Sequence, residues 1–282
     1  MSASAPAIDP RPVRSTGRMA KAQGRVTQGR VFRSEWTKLY SLRSTRYALL
    51  ATAVMTIGFG IIASAATVSR WSSMSATDKA TFDPLSTSLL GVRFGVLAIG
   101  VLGVLLIAGE YSTGMIRSTM TAVPKRLPVL WGKSGVYALV ALVIAVPAVL
   151  IAFFAGQAIL SGQHLQISFS QSGVPRAVLG SAVYLTLVGL FAMGLGAIMR
   201  NTAAGIATFA GVMFVIPPLV SILPSSISNS LDPYLPSNAG EAMMRIGHHA
   251  NVLSPGTGLA VFAGYVAVVI AAAAVLLIRR DV

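Results

Sequence analysis

Six long apolar stretches dominate this sequence, at residues 47–68, 88–109, 135–160, 177–199, 204–223 and 256–278. Each is close to the roughly 20 residues that a helix needs to cross a hydrocarbon core about 30 Å thick. A chain crossing lipid must satisfy its backbone hydrogen bonds within each segment, which leaves helices or a closed barrel. The runs are far longer than the roughly 10 residues of a barrel strand, and they do not alternate. Composition agrees: 54% of the residues are hydrophobic and only 11% charged, where a soluble domain carries about a quarter. That is too little polar surface to clothe a water-soluble globule. The expected fold class is an all-α polytopic membrane protein with six transmembrane helices. Pro147 and the pair Pro217 and Pro218 fall within or near the ends of spans and predict kinks rather than breaks.

Charge sets the expected orientation, because Lys and Arg concentrate in cytoplasmic segments. With the N-terminus inside, 17 of the 22 Lys and Arg residues lie on the cytoplasmic side: residues 1–46, the 110–133 loop, Arg200, Arg279 and Arg280. Only Arg70, Lys79, Arg93, Arg176 and Arg245 fall elsewhere. Both termini are therefore expected in the cytoplasm, with the protein multi-pass in the cell membrane. The net charge of +14 does not point to nucleic acid, since the basic residues flank apolar spans instead of forming a soluble face. The first 45 residues have no early apolar core of the kind a cleaved signal peptide needs. With no cysteine, disulfide and thiolate chemistry are excluded.

Residues 1–29 are rich in Ser, Ala, Gly, Pro, Arg and Lys. They hold too little apolar surface to offset ordering entropy, so a disordered cytoplasmic tail is expected. In residues 30–45, Phe32, Trp36, Leu39 and Tyr40 recur at helical spacing, with Arg33, Lys38 and Arg43 between them. This pattern predicts an amphipathic helix lying in the headgroup plane, in contact with the lipid bilayer. The alternative is a basic run that only sets topology.

The loop 109–133, GEYSTGMIRSTMTAVPKRLPVLWGK, opens on Glu110 and carries a helix-compatible run from Met115 to Val123 before Pro124. Met115, Ile116, Met120 and Val123 would share one face beside Arg117, a shape suited to docking in a groove of another protein. A plain positive-inside loop is the other reading of the same composition.

Glu110-x-x-x-Gly114-x-Ile116-Arg117, followed by Pro124, Lys125 and Arg126, resembles the cytoplasmic coupling segment of ABC-2 type transporter permeases. Glu35-Trp36-Thr37-Lys38-Leu39, in a basic helix ahead of the first span, is similar to the N-terminal elbow helix of that family, especially its actinobacterial members. The resemblance covers residues 30–282. It implies a non-catalytic permease subunit whose transport is powered by a separate ATP-binding cassette subunit carrying ATP and Mg.

The same resemblance implies export, and a dimer formed with a second permease copy or a paralogue. Glu110, Gly114, Ile116 and Arg117 would contact or orient the ATP-binding subunit, with Lys125 and Arg126 anchoring the loop. Gly132-Lys133-Ser134 has the ending of a phosphate-binding loop, but position 127 is Leu where that pattern needs glycine, and no strand–loop–helix unit is available. No nucleotide is therefore expected on this chain.

Three further features stand out. Arg93 lies several residues inside the second span, where a charge is costly. It is read either as snorkelling to the headgroups or as a pathway or dimer-interface residue. Gly91 and Gly95, with Gly100 and Gly103 on the same helix, form a G-x-x-x-G pair that permits close helix approach and points to a subunit interface. In the outer segment 224–255, Asn238 and Glu241 have capping-box spacing, which predicts an external or re-entrant helix before the sixth span. His248 and His249 are adjacent and do not face one site on a helix. With His164 the only other histidine, no metal site is expected. Asp78, Asp83, Asp232 and Glu241 are scattered, without the pairing that acid–base chemistry needs. The alternative classes are a secondary transporter, which favours internal repeats and intramembrane carboxylates, and an intramembrane enzyme, which needs catalytic groups at matched depth.

Overall fold

A computed structural model of the chain describes residues 28–41, 43–115, 126–247 and 251–279. It is all-α, with six helices long and apolar enough to cross a membrane. They are preceded by α1 (Gln28–Ser41). The first crossing is α2 (Arg43–Arg70), and two short helices follow it, α3 (Ala76–Ala80) and α4 (Pro84–Ser88). Next come α5 (Gly91–Ser112), α6 (Arg126–Leu160) and α7 (Val174–Met199). The fifth crossing is composite: α8 (Thr202–Ala210), a π-helical turn (Gly211–Val215) and α9 (Ile216–Ser221). Short helices α10 (Ser225–Leu231) and α11 (Pro236–Glu241) lead to the last crossing, α12 (Pro255–Arg279). The chain is a multi-pass membrane protein.

Burial sorts the six. Among their apolar windows, α5 and α7 are 67% and 72% buried, against 22% for α2 and 17% for the α8–α9 crossing. So α5 and α7 form the centre, and the others surround them with apolar faces turned outward, as at Val54, Ile62, Val143, Leu219 and Val268. Such faces suit lipid, where apolar surface carries no cost.

Close packing in the centre depends on missing side chains. A Cβ on Gly103 would overlap the Gly189 carbonyl oxygen of α7, and one on Gly189 would overlap the Tyr137 hydroxyl. Through that gap the buried Tyr137 hydroxyl donates to the Ile99 carbonyl at 2.8 Å, joining α6 to α5 across α7. Gly91 and Gly95 work the same way, but against Thr56 of α2. The close approach they allow here lies within the chain.

The prolines act unequally. α6 continues through Pro147. Pro217 and Pro218 follow the π turn, whose wider winding lets the Ile216 amide bond the Gly211 carbonyl. Proline removes a donor and its ring crowds the carbonyl four residues back, and π turns are a known response to such strain.

Helix boundaries differ from expectation most clearly in three elements. α1 starts at Gln28 and ends at Ser41, inside the expected 30–45 at one end and beyond it at the other. The second crossing begins at Gly91 and ends at Ser112, three residues later at each end than the expected 88–109, with α4 ending at Ser88 ahead of it. The third crossing begins at Arg126 or Leu127, about two turns before residue 135, because its one internal lysine is paired and lets the helix continue into the protein. The capping box is not formed: α11 starts at Pro236, Asn238 is inside it, and the Asn238 amide donates to the Asp232 carbonyl at 2.9 Å. Ala239, Gly240 and Met243 of this segment are buried against α7 and α12. The residues expected as a tail, up to 27, lie outside those described.

Candidate functional site

The most concentrated polar chemistry sits where α1 meets the ends of α5 and α6. On α1, Glu35, Lys38 and Leu39 fall at i, i+3 and i+4, one face of a helix. Glu35 and Leu39 are buried, while Phe32, Arg33 and Trp36 remain exposed. The helix therefore turns a carboxylate inward, rather than dividing simply into an aromatic and a cationic side. Glu110 reaches the same place from the last turns of α5, below the buried Leu106 and Ile107. Lys133 arrives from α6, flanked at i−4, i−3, i+3 and i+4 by Val129, Leu130, Val136 and Tyr137, all buried.

These four charges alternate in sign. Lys133 Nζ donates to Glu35 Oε2 at 2.6 Å and to Glu110 Oε1 at 2.9 Å. Lys38 Nζ donates to Glu35 Oε1 at 3.0 Å and to Glu110 Oε1 at 3.4 Å. Lys133 is 3% exposed and Glu35 2%. Two ammonium groups and two carboxylates make the set neutral, which is the condition for keeping charges away from water. Burial opposes ionisation of Glu35, but Lys133 and then Lys38 outweigh it and hold its carboxyl below the ordinary glutamate value. Burial also opposes charge on Lys38, and Glu110 and Glu35 reverse that, raising it above the ordinary lysine value. Glu110 Oε2 is buried and has no hydrogen-bond partner among the described residues. A mainly apolar cavity of about 350 Å³ adjoins the cluster, walled by Leu102, Leu105, Leu106 and Met115.

The same end of the bundle has a second clasp. Arg200, at φ 53°, ends α7, and its amide donates to the Gly196 carbonyl at 3.0 Å. Its guanidinium donates to the Leu276 carbonyl near the end of α12 at 3.1 Å and stands 5.2 Å from the Tyr111 ring centre. α5, α7 and α12 are thereby tied beside the charge cluster.

Of the residues singled out in the sequence, Glu35, Lys38 and Glu110 meet here. Gly114, at φ 71°, follows the end of α5 and is exposed. Arg126 opens α6. Ile116, Arg117, Pro124 and Lys125 lie outside the described residues. In the sequence Lys133 stands out only within Gly132-Lys133-Ser134, the ending of an incomplete phosphate-loop pattern. In the structure it stands within α6 and pairs with Glu35 and Glu110. The four flanking buried residues were the signal that places it on a core face.

Arg93 is at the opposite end. Its Nη2 donates to Glu241 Oε2 at 2.9 Å, and Arg245 Nη2 lies 4.0 Å from the same oxygen. Arg93 thus engages the segment before the last crossing instead of standing alone at the headgroups. The sequence matches no protein-family model and no curated protein.

Proposed function

We propose that this chain is the membrane-spanning permease subunit of an ABC transporter, acting in export and driven by a separate ATP-binding subunit. The observation that carries this reading is the Glu35–Lys133–Glu110–Lys38 cluster. Glu110 stands in the last turn of α5 and Lys133 in the second turn of α6, so the two bracket the stretch of sequence that joins these helices. Lys133 is held to α1 by its buried pair with Glu35, Glu110 is tied to α1 by the half-buried Lys38, and Lys133 and Glu110 pair with each other. A partner pushing on that segment would therefore move α1, α5 and α6 together, as a coupling element requires. In this reading the clustered end faces the cytoplasm, and a second permease subunit completes the pathway. The buried ionisable cluster lies at one end of the bundle, whereas ion-coupled carriers hold theirs near the midplane.

The test is to purify the tagged full chain from its native membrane and measure ATP hydrolysis and the proteins retained. A stoichiometric P-loop ATPase, lost on Arg117→Glu while the permease stays folded, is the expected result. Transport by the chain alone, driven by a proton gradient and insensitive to ATP, would overturn the proposal. Because the chain has no cysteine, single-cysteine labelling reads orientation directly. Ser226→Cys should react with an impermeant maleimide in intact cells, and Ser112→Cys only after permeabilisation.

A further inference from the structure

At the end of the bundle away from the charge cluster is a cavity of about 530 Å³, bounded by α2, α4, α5 and the turn after α11. Its walls are of two kinds. Ala63, Ala66, Leu89, Leu90 and Met244 supply an apolar side, and Arg70, Arg93 and Arg245 bring guanidinium groups to the same space.

The arginines are unequally occupied. Arg93 is paired with Glu241 at 2.9 Å. Arg245 comes only to 4.0 Å of that carboxylate and makes no side-chain hydrogen bond with the described residues. Arg70 directs Nε to the Ala66 carbonyl of its own helix at 3.2 Å, which leaves both terminal nitrogens unpartnered among the described residues. Asp83, the other carboxylate on the wall, accepts from the Leu85 amide at 2.9 Å and caps α4. Three cations therefore face two carboxylates, each of the two already engaged, beside an apolar wall.

We propose that this cavity binds an amphiphilic anion, with a phosphate or carboxylate headgroup held by Arg70 and Arg245 and an alkyl chain against Ala63, Ala66 and Leu90. Guanidinium forks are well matched to both headgroups. Arg93 and Glu241 form the fixed rim that sets the third side. The inference does not depend on what powers transport, because binding is measured on the chain alone.

The experiment titrates the full chain in a non-ionic detergent with dodecyl phosphate and, separately, with dodecylphosphocholine, by calorimetry. One dodecyl phosphate per chain should bind, at least about tenfold more tightly than the zwitterion of equal tail length. Arg70→Gln with Arg245→Gln should weaken dodecyl phosphate by about tenfold or more and leave the zwitterion unchanged. Arg70 is exposed and the Arg245 side chain partly so, so unaltered thermal unfolding serves as the control for folding. Equal affinity for the two probes, or no effect of the double variant, would overturn the proposal. In nanodiscs, displacement of dodecyl phosphate by phosphatidylglycerol would assign the site to a lipid headgroup. Retention of the probe at high phosphatidylglycerol would assign it to a free amphiphile. Both of these outcomes support an anion site.

Discussion

The two ends of the bundle carry similar numbers of charges and use them differently. At one end Lys133, Glu35 and Glu110 are buried and pair with one another. At the other, Arg93 and Arg245 reach Glu241 across a cavity and stay substantially exposed. Water can replace a lost partner at the open end and cannot at the closed one. The closed end should therefore govern integrity, while the open end is free to meet a ligand.

The sharpest way to break this contrast is Lys133→Met. It would leave the Glu35 and Glu110 carboxylates buried together with Lys38 as their only cation. Breaking a buried pair from one side costs about 3–5 kcal/mol, so a large drop in thermal unfolding temperature in detergent is expected. Adding Glu35→Gln and Glu110→Gln should recover part of that loss, since a neutral cluster has no stranded charge. A Lys133→Met protein as stable as the parent would show that the closed end is hydrated and the contrast false.

Packing in the centre supplies the next effect. Gly103→Val should cost about 1–3 kcal/mol or more, because overpacking forces a shift and the obstacle is the Gly189 backbone oxygen. Chemical denaturation of the purified chain measures it.

Why some of this was legible and some not follows from particular residues. Long apolar windows report spans because lipid imposes a length, and all six were found. A charge ends such a window, so Lys133 pushed the expected start of the third span to residue 135, although Lys133 is inside α6. Glu35 and Glu110 each stand out in their own segment. Their meeting is a tertiary fact: 75 residues separate them in sequence, and only the packing of α1 onto α6 brings them together. The G-x-x-x-G pair did signal close approach, but the spacing does not say whether the neighbour is the same chain. Asn238 and Glu241 fitted a capping pattern, yet Pro236, suited to the first turn of a helix, set the start instead.

A pH series sharpens the comparison further. Glu35 has a depressed value in the folded chain, so its contribution is complete above the unfolded value near 4.5 and is lost as pH falls through the folded one. Lys38 is raised, so its contribution is complete below about 10.5 and is lost as pH rises beyond its folded value. Stability from the closed end should therefore be flat across the neutral range and decline in acid. Glu35→Gln should flatten the acid limb, measured as unfolding temperature between pH 3 and 7.

The smallest effect is expected from Arg93→Ala. The residue is costly on paper, being a charge inside an apolar span, but its side chain is 55% exposed and its pair with Glu241 is reached by solvent. Exposed ion pairs contribute about 0.2–1 kcal/mol. Arg245 already stands 4.0 Å from the same carboxylate oxygen and can close on it when Arg93 is removed. A double-mutant cycle of Arg93→Ala with Glu241→Ala should thus give a coupling below about 1 kcal/mol, rising when Arg245→Ala is added to the background. A coupling as large as that between Lys133 and Glu35 would mean that the open end is as dry as the closed one. The cavity between Arg70, Arg93 and Arg245 would then have no solvent path by which a ligand could enter.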